Sequence, residues 1–304
     1  MSLAAILDPR QLGMLFVKDK NEPIYELLRK TSRSFAKVIQ QLPDDLANAV
    51  CIFYLVLRAL DTVEDDPLID RALKIEMLHS FHELSTKPGY SFHGNSDDEP
   101  DAHLLEQYYV VIEQLLLLDP ETQKIILDIC DKMGHGMAEF VEKPVQTTKE
   151  YNLYTHYVAG LVGVGLSRLF VQSGLQSTPL DLELANEMGL FLQKTNILKD
   201  YLVDIKCKRL FWPRDVWSLY VQPDQDVDTL SLPENLPRAL ACLNHLCADN
   251  LSLLPSCLEY LSCLDNQQVL RFAAIPQVLI SKTANGYCVN GLVFQQSSNV
   301  SKRA

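Results

Sequence analysis

Asp61, Glu64 and Asp65 stand at spacings of three and four in the stretch Tyr54-Leu55-Val56-Leu57-Arg58-Ala59-Leu60-Asp61-Thr62-Val63-Glu64-Asp65-Asp66. In a helix that spacing puts three carboxylates on one face, and further steps of three and four lead back to Arg58 and Tyr54. Ile52, Leu55, Val56, Ala59, Leu60 and Val63 occupy the other positions, so the helix is expected to be buried on most sides. A second line, Gln193, Asn196, Asp200 and Asp204, follows steps of three, four and four between Met188 and Ile205, again among apolar residues. A solvated acidic face is the ordinary explanation of such a line. Here the flanks are too apolar for surface helices. Each acidic group also has amide, aromatic or guanidinium neighbours on its own stripe.

Clustered Asp and Glu on facing helices suit Mg²⁺, a hard ion that takes a few carboxylate oxygens, keeps waters and shares substrate phosphates. Two unit charges about 4 Å apart repel by about 4 kcal/mol at an effective dielectric near 20. Five such carboxylates would accept a diphosphate only through bridging cations. With Mg²⁺ the sign inverts, and the metal also stabilises diphosphate as a leaving group. No D-x-D-x-D-G calcium loop and no P-loop occurs.

Helices must position these groups. Apolar residues recur at three and four in Leu46–Leu60, Leu104–Leu118, Thr122–Phe140, Leu153–Phe170, Leu182–Ile205, Ala239–Leu253 and Gln267–Ile280. Pro43-Asp44-Asp45 and Asp119-Pro120-Glu121 supply start signals. Ser85–Asp101 and Gln222–Pro237 read as loops, and Gln295–Ala304 as a polar tail. With strand alternation scarce, no repeat and no linker, residues 1–304 read as one all-α domain.

Charge and composition narrow the function. Lys+Arg 27 against Asp+Glu 39 gives a net charge of −12, which argues against nucleic-acid binding. The eight cysteines show no C-x-x-C pair, and Cys242, His245 and Cys247 match no zinc spacing, so free thiols in a reducing compartment are expected. Met1–Gln11 lacks the apolar core of a signal peptide. No uninterrupted apolar run reaches the roughly 18 residues of a membrane-spanning helix, and the chain reads as soluble and cytoplasmic. Gly160, Gly163 and Gly165 lie in a helical run, where each costs about 1 kcal/mol relative to alanine. Close approach of a helix or of a bound chain would offset that. Their order is not the G-x-G-x-x-G of a dinucleotide fold.

The two acidic groups resemble the aspartate-rich motifs of the squalene synthase family, among the head-to-head trans-isoprenyl diphosphate synthases. Further blocks resemble it in order over about residues 30 to 280: Ser32-Arg33-Ser34-Phe35-Ala36, Cys51–Asp66, Met133-Gly134-His135-Gly136-Met137, Tyr154 through Gly163, Phe211-Trp212-Pro213 and Ala274-Ile275-Pro276-Gln277. The resemblance implies an isoprenoid-synthase helical bundle around a central apolar cavity. It implies that Asp61, Glu64 and Asp65 bind Mg²⁺ for one farnesyl diphosphate, and Asp200 and Asp204 for the other. Arg33 and Arg58 would contact diphosphate or the phosphates of NADPH. Ser34, Gln193, Asn196, Lys199 and Arg209 complete the implied binding set. Tyr154 matches the tyrosine that assists proton removal as a cyclopropane ring closes, and Phe272 an aromatic that shields a later carbocation. Tyr54 offers a third aromatic face, since ring faces stabilise cations by about 0.5–2 kcal/mol each. Ordinary core packing is the alternative for each ring.

The implied reaction joins two farnesyl diphosphates to presqualene diphosphate, then reduces it with NADPH to squalene, in a monomer at the cytosolic face of the endoplasmic reticulum membrane. Lys199 stands where the family usually has arginine, which keeps the charge and loses the bidentate fork. Beyond Gln277, Ile280-Ser281-Lys282-Thr283 interrupts an apolar stretch, Asn299 and Ser301 replace expected basic residues, and the family's C-terminal anchor is not found. Three alternatives therefore stay open: an enzyme stopping at presqualene diphosphate, a phytoene- or dehydrosqualene-type synthase, and a catalytically silent prenyl-binding protein.

Overall fold

The structure is a computed structural model and describes residues 23–207, 210–290 and 292–294. Among the described residues there are helices and no strands, as the periodicity predicts. In chain order they are α1 (Pro23–Thr31), α2 (Arg33–Ile39), α3 (Asp44–Asp65), α4 (Arg71–Leu84), α5 (Ala102–Glu106), α6 (Tyr108–Leu115), α7 (Pro120–Glu142) and α8 (Thr148–Thr155). A π-helical turn (His156–Gly160) leads into α9 (Leu161–Gln172), followed by α10 (Leu182–Lys199), α11 (Tyr201–Lys206), α12 (Arg214–Trp217), α13 (Leu236–Leu251), α14 (Leu254–Ser262) and α15 (Gln267–Asn290).

The chain forms two compact units and passes between them five times. The first takes the described parts of Met1–Gly134, with Gly165–Pro179 and Cys263–Pro276. The second takes His135–Val164, Leu180–Ser262 and the described parts of Gln277–Ala304.

In the first unit α3 starts where Pro43, Asp44 and Asp45 place it and stops at Asp66, whose extended backbone (ψ 112°) precedes Pro67. By length and composition α3 could cross a membrane, although no uninterrupted apolar run does; 78% of its most apolar window is buried, as in a core helix. Its last turn holds acids and no base, which opposes the helix dipole. Lys74, itself buried, offsets this by donating to the carbonyls of Glu64 and Asp66 at 2.7 Å each.

In the second unit the glycines settle what the sequence leaves open. A Cβ on Gly163 would stand 2.1 Å from the carbonyl oxygen of Ala185, and one on Gly189 2.1 Å from that of Ala159. Close approach of the π-turn and α9 to α10 explains these two glycines. At the head of α8, Thr147 and Glu150 form a reciprocal cap, and Lys143 pairs with Glu150 at 2.9 Å.

Several expected elements differ. Leu104–Leu118 breaks at Gln107 into α5 and α6. Leu153–Phe170 contains the π-turn, and Leu182–Ile205 breaks at Asp200, whose backbone (φ −91°, ψ 7°) leaves helical values. Gln222–Pro237 holds two 3₁₀ turns, Val227–Ser231 and Pro233–Asn235, and α13 begins inside it. Ser281–Thr283 does not stop α15, which runs on to Asn290. Free thiols are found at Cys51, Cys130, Cys207, Cys242, Cys257 and Cys263, whereas Cys247 is disulfide-bonded, so the expectation of free cysteines fails there. Met1–Gln11, Arg209 and the tail 295–304 lie outside the described residues.

Candidate active site

Burial along α3 sorts its residues sharply. From Val50 to Asp65 every residue is buried except Tyr54, Arg58, Asp61 and Asp65, which follow one another at four, three and four. A helix turns 100° per residue, so these four form one accessible line on an otherwise sealed helix. Glu64 lies off that line and is 8% exposed.

Arg58 is held from two sides. Its Nε and Nη2 donate to Asp101 Oδ2 at 2.9 and 2.7 Å, and its Nη1 stands 3.8 Å from Asp61 Oδ2. Burial works to lower the guanidinium's pKa, and Asp61 and Asp101 outweigh it and raise it further. The same line bears Tyr54, whose hydroxyl is pushed up to about 12 by burial, against the opposing influence of Arg58 and a hydrogen bond with Ser32. Glu99 approaches from the loop before α5: burial first, then the charges of Asp65 and Asp101, push its carboxyl up.

Phe35, on α2, tilts against Tyr54 with ring centroids 4.6 Å apart. It meets Phe272 edge-on at 6.1 Å, and Phe272 meets Phe170 at 6.1 Å. Phe272 is 2% exposed and packs in this aromatic chain. Ser32 caps α2 by accepting from the Phe35 N–H at 3.2 Å; Arg33 is exposed and Ser34 half-buried on its first turn.

In the second unit the accessible edge of α10 carries Gln193, Asn196, Lys199 and Asp200, and Asp204 follows one turn later on α11. Lys199 Nζ lies 3.5 Å from Asn196 Oδ1 and 3.6 Å from Asp200 Oδ2. Desolvation still raises the Asp200 carboxyl above its ordinary value, against the pull of Lys199. Tyr154, at the end of α8, is buried, stacked on Phe211 at 4.3 Å and edge-on to Phe140 at 5.3 Å. The π-turn begins two residues on, where His156 Nδ1 is 2.7 Å from Asn186 Oδ1 on α10.

The first acidic group sits at a helix C-terminus, with Asp65 the last residue of α3 and Asp61 one turn before it; the second sits at a helix junction, with Asp200 the C-cap of α10 and N-cap of α11 and Asp204 in the first turn of α11. The carbonyl end of α3 repels its carboxylates, and the two carboxylates of each pair repel one another, so a divalent cation bound within either pair would relieve that pair. The donor set is all oxygen, which fits Mg²⁺. Among the described residues no group of three or more His, Cys, Asp or Glu side chains forms a ready metal cage. An ion here would be held by a pair of carboxylates, with a ligand's phosphate oxygens and waters filling the other positions.

Comparison with known proteins places this arrangement. The sequence pattern of the squalene/phytoene synthase family matches residues 28–287. The chain belongs to the squalene/phytoene synthase family. It is 47% identical to the squalene synthase of Homo sapiens over 281 residues, and 48% identical to that of Dictyostelium discoideum over 279. These alignments cover 91% and 89% of this chain but 66% and 65% of the relatives, so the chain spans just under two thirds of their length. A ligand complex of TcSQS has 42% identity and a TM-score of 0.86, covering 90% of this chain and 80% of that one. The isoprenoid-synthase helical fold expected from the squalene/phytoene synthase motifs is the fold found.

Each predicted side chain of the family motifs that is described lies in one of two groups. Arg33, Ser34, Tyr54, Arg58, Asp61, Glu64, Asp65 and Phe272 belong to the first unit; Tyr154, Gln193, Asn196, Lys199, Asp200 and Asp204 belong to the second. Sequence reasoning missed Asp101, Glu99 and Asn186. Asp101 lies 43 residues from the arginine it binds, in a loop without periodicity, so no spacing rule could reach it.

Proposed function

We propose that this chain is a squalene synthase: it condenses two farnesyl diphosphates head to head to presqualene diphosphate, then rearranges and reduces this with NADPH to squalene. The observation that carries the proposal is the pairing of accessible carboxylates one helical turn apart, Asp61 with Asp65 at the end of α3 and Asp200 with Asp204 at the α10–α11 junction, in a chain 47% identical to a squalene synthase. By resemblance, the enzyme works at the cytosolic face of the endoplasmic reticulum membrane, as a single all-α catalytic domain and a monomer.

Asp61 and Asp65 would hold Mg²⁺ for one diphosphate, with the buried Glu64 carboxylate beside their line as a supporting charge, and Asp200 and Asp204 for the other. Bound there, the metal supplies charge that stabilises the departing diphosphate. Arg58 and Lys199 add fixed positive charge beside each pair, and Arg33, Ser34, Gln193, Asn196 and Arg209 complete the polar lining. Ionising an allylic diphosphate leaves a cation that water would quench, so its surroundings must be dry and aromatic. Tyr54, Phe35 and Phe272 in the first unit and Tyr154 with Phe211 in the second supply ring faces. The Tyr154 hydroxyl takes part in removing the proton lost on cyclopropane closure. NADPH supplies the hydride of the second step. Gly163 and Gly189 are taken up by helix contacts, so its phosphates would be met by cations such as exposed Arg33 rather than by a glycine loop.

Incubating the purified chain with farnesyl diphosphate and Mg²⁺, with and without NADPH, tests this directly. Squalene formed only with NADPH is the expected result. Presqualene diphosphate under both conditions, phytoene-type hydrocarbon, or untouched substrate would contradict it.

A further inference from the structure

The loop preceding α5 is fastened to the end of α3 at two points, each a buried carboxylate. Asp66 is 0% exposed; its Oδ2 accepts from the Ser96 N–H at 2.7 Å and from Asn95 Nδ2 at 3.0 Å, and its Oδ1 from the Leu68 N–H at 2.9 Å. Asp101, 5% exposed, accepts on one oxygen from both Nε and Nη2 of Arg58. Between the two, the Glu99 carboxylate accepts from the Asp101 N–H at 3.2 Å. Burying a carboxylate is costly unless charge or hydrogen bonds compensate it. A passive surface loop has no use for two.

The consequence falls on Arg58. With Nε and Nη2 both committed to Asp101, the guanidinium has one orientation, and Nη1 is left on the side of Asp61, 3.8 Å from its Oδ2. A free arginine loses rotamer entropy on engaging an anion, and here the structure has already taken that loss. Asp101 also cancels part of the charge that Arg58 would otherwise spend on Asp61.

We propose that Asp101 is a positioning residue, latched by Asp66 through Asn95 and Ser96, that pre-orders Arg58 for an oxygen of a diphosphate bound on the Tyr54–Arg58–Asp61–Asp65 line. The inference rests on the function proposed above and assigns work to a loop that the family motifs do not include.

The test uses inorganic pyrophosphate with Mg²⁺ in titration calorimetry, beside KM and kcat for farnesyl diphosphate. Asp101→Ala, and the milder Asp101→Asn should the first fold poorly, are expected to weaken pyrophosphate binding and raise KM by about ten-fold, with kcat within about two-fold of wild type. In an Arg58→Lys background, which lacks the fork, either substitution is expected to add no further loss, a non-additivity that a general loss of structure would not produce. Pyrophosphate affinity and KM within two-fold of wild type in Asp101→Asn, or full additivity with Arg58→Lys, would overturn the proposal. A wild-type protein that neither binds pyrophosphate nor consumes farnesyl diphosphate would instead overturn the function on which it rests, and this inference with it.

Discussion

The ring of Tyr154 lies flat on that of Phe211, with centroids 4.3 Å apart and planes 10° from parallel. Phe140 closes on Tyr154 from the edge at 5.3 Å, so packing holds the phenol ring on two sides. Tyr154→Phe should therefore leave Tm unchanged within about 2 °C and reduce turnover by about 100-fold or more, the range of a lost proton-transfer group. Thermal melts beside steady-state kinetics check it. Activity near wild type would remove Tyr154 from the chemistry.

The acidic pairs make opposite demands on stability and function. Asp65 closes α3, where the helix dipole disfavours an anion, and desolvation disfavours the charged form of Asp200 at the α10–α11 junction. Asp65→Asn or Asp200→Asn should lower turnover by about 100-fold or more while leaving the fold equally or slightly more stable, by up to about 1 kcal/mol. Denaturant melts of the metal-free protein measure the second half. A large loss of stability would mean that the carboxylates serve the fold.

Gly163 and Gly189 sit where the π-turn and α9 approach α10 most closely. A methyl group at Gly189 would meet the Ala159 carbonyl oxygen at 2.1 Å and the Gly160 nitrogen at 2.7 Å, all backbone atoms that have no rotamer to escape into. Gly189→Ala is expected to cost about 1–3 kcal/mol despite alanine's better helix propensity. Because α10 also carries Asn196 and Asp200, activity should fall with stability. A stabilised Gly189→Ala protein would refute the close contact.

Asp128 gives a pH dependence outside the site. Burial works to raise its carboxyl, while Lys132, at 2.9 Å, and Arg168, in direct contact, outweigh it and hold it below the ordinary value. A depressed folded-state pKa contributes stability above the unfolded value near 3.8 and loses it as pH falls through the folded value. With Asp128 and Arg168 about a third exposed and Lys132 about half, the pairs are worth roughly 0.5–1 kcal/mol after screening. Asp128→Asn should thus be less stable than wild type at pH 7, with the gap closing below pH of about 4 and shrinking in high salt. An undiminished gap at low pH would contradict the pairing.

The sequence made the helices of the acidic stripes legible, because an apolar period of three to four residues and proline-acid starts are local signals. The α3 boundaries differ from the expected run by a few residues at each end, and the all-α class holds. Breaks were illegible: Gln107, Asp200 and the π-turn at His156–Gly160 interrupt stretches whose apolar spacing continues through them. Such breaks arise from contacts between distant segments, as where His156 meets Asn186. The same limit hid Asp101. Spacing along one helix identified Tyr54, Arg58, Asp61 and Asp65 as a line, but it placed Glu64 beside them, whereas burial by neighbouring segments turns that residue inward.

The central claim is that each acidic pair holds one diphosphate through divalent cations. The most direct measurement is calorimetric titration of the protein with inorganic pyrophosphate, with and without Mg²⁺, in wild type, Asp65→Asn and Asp204→Asn. Two equivalents bound by wild type, one by each variant, and none without Mg²⁺ is the predicted result. Equal binding in all three proteins, or binding indifferent to Mg²⁺, would contradict it.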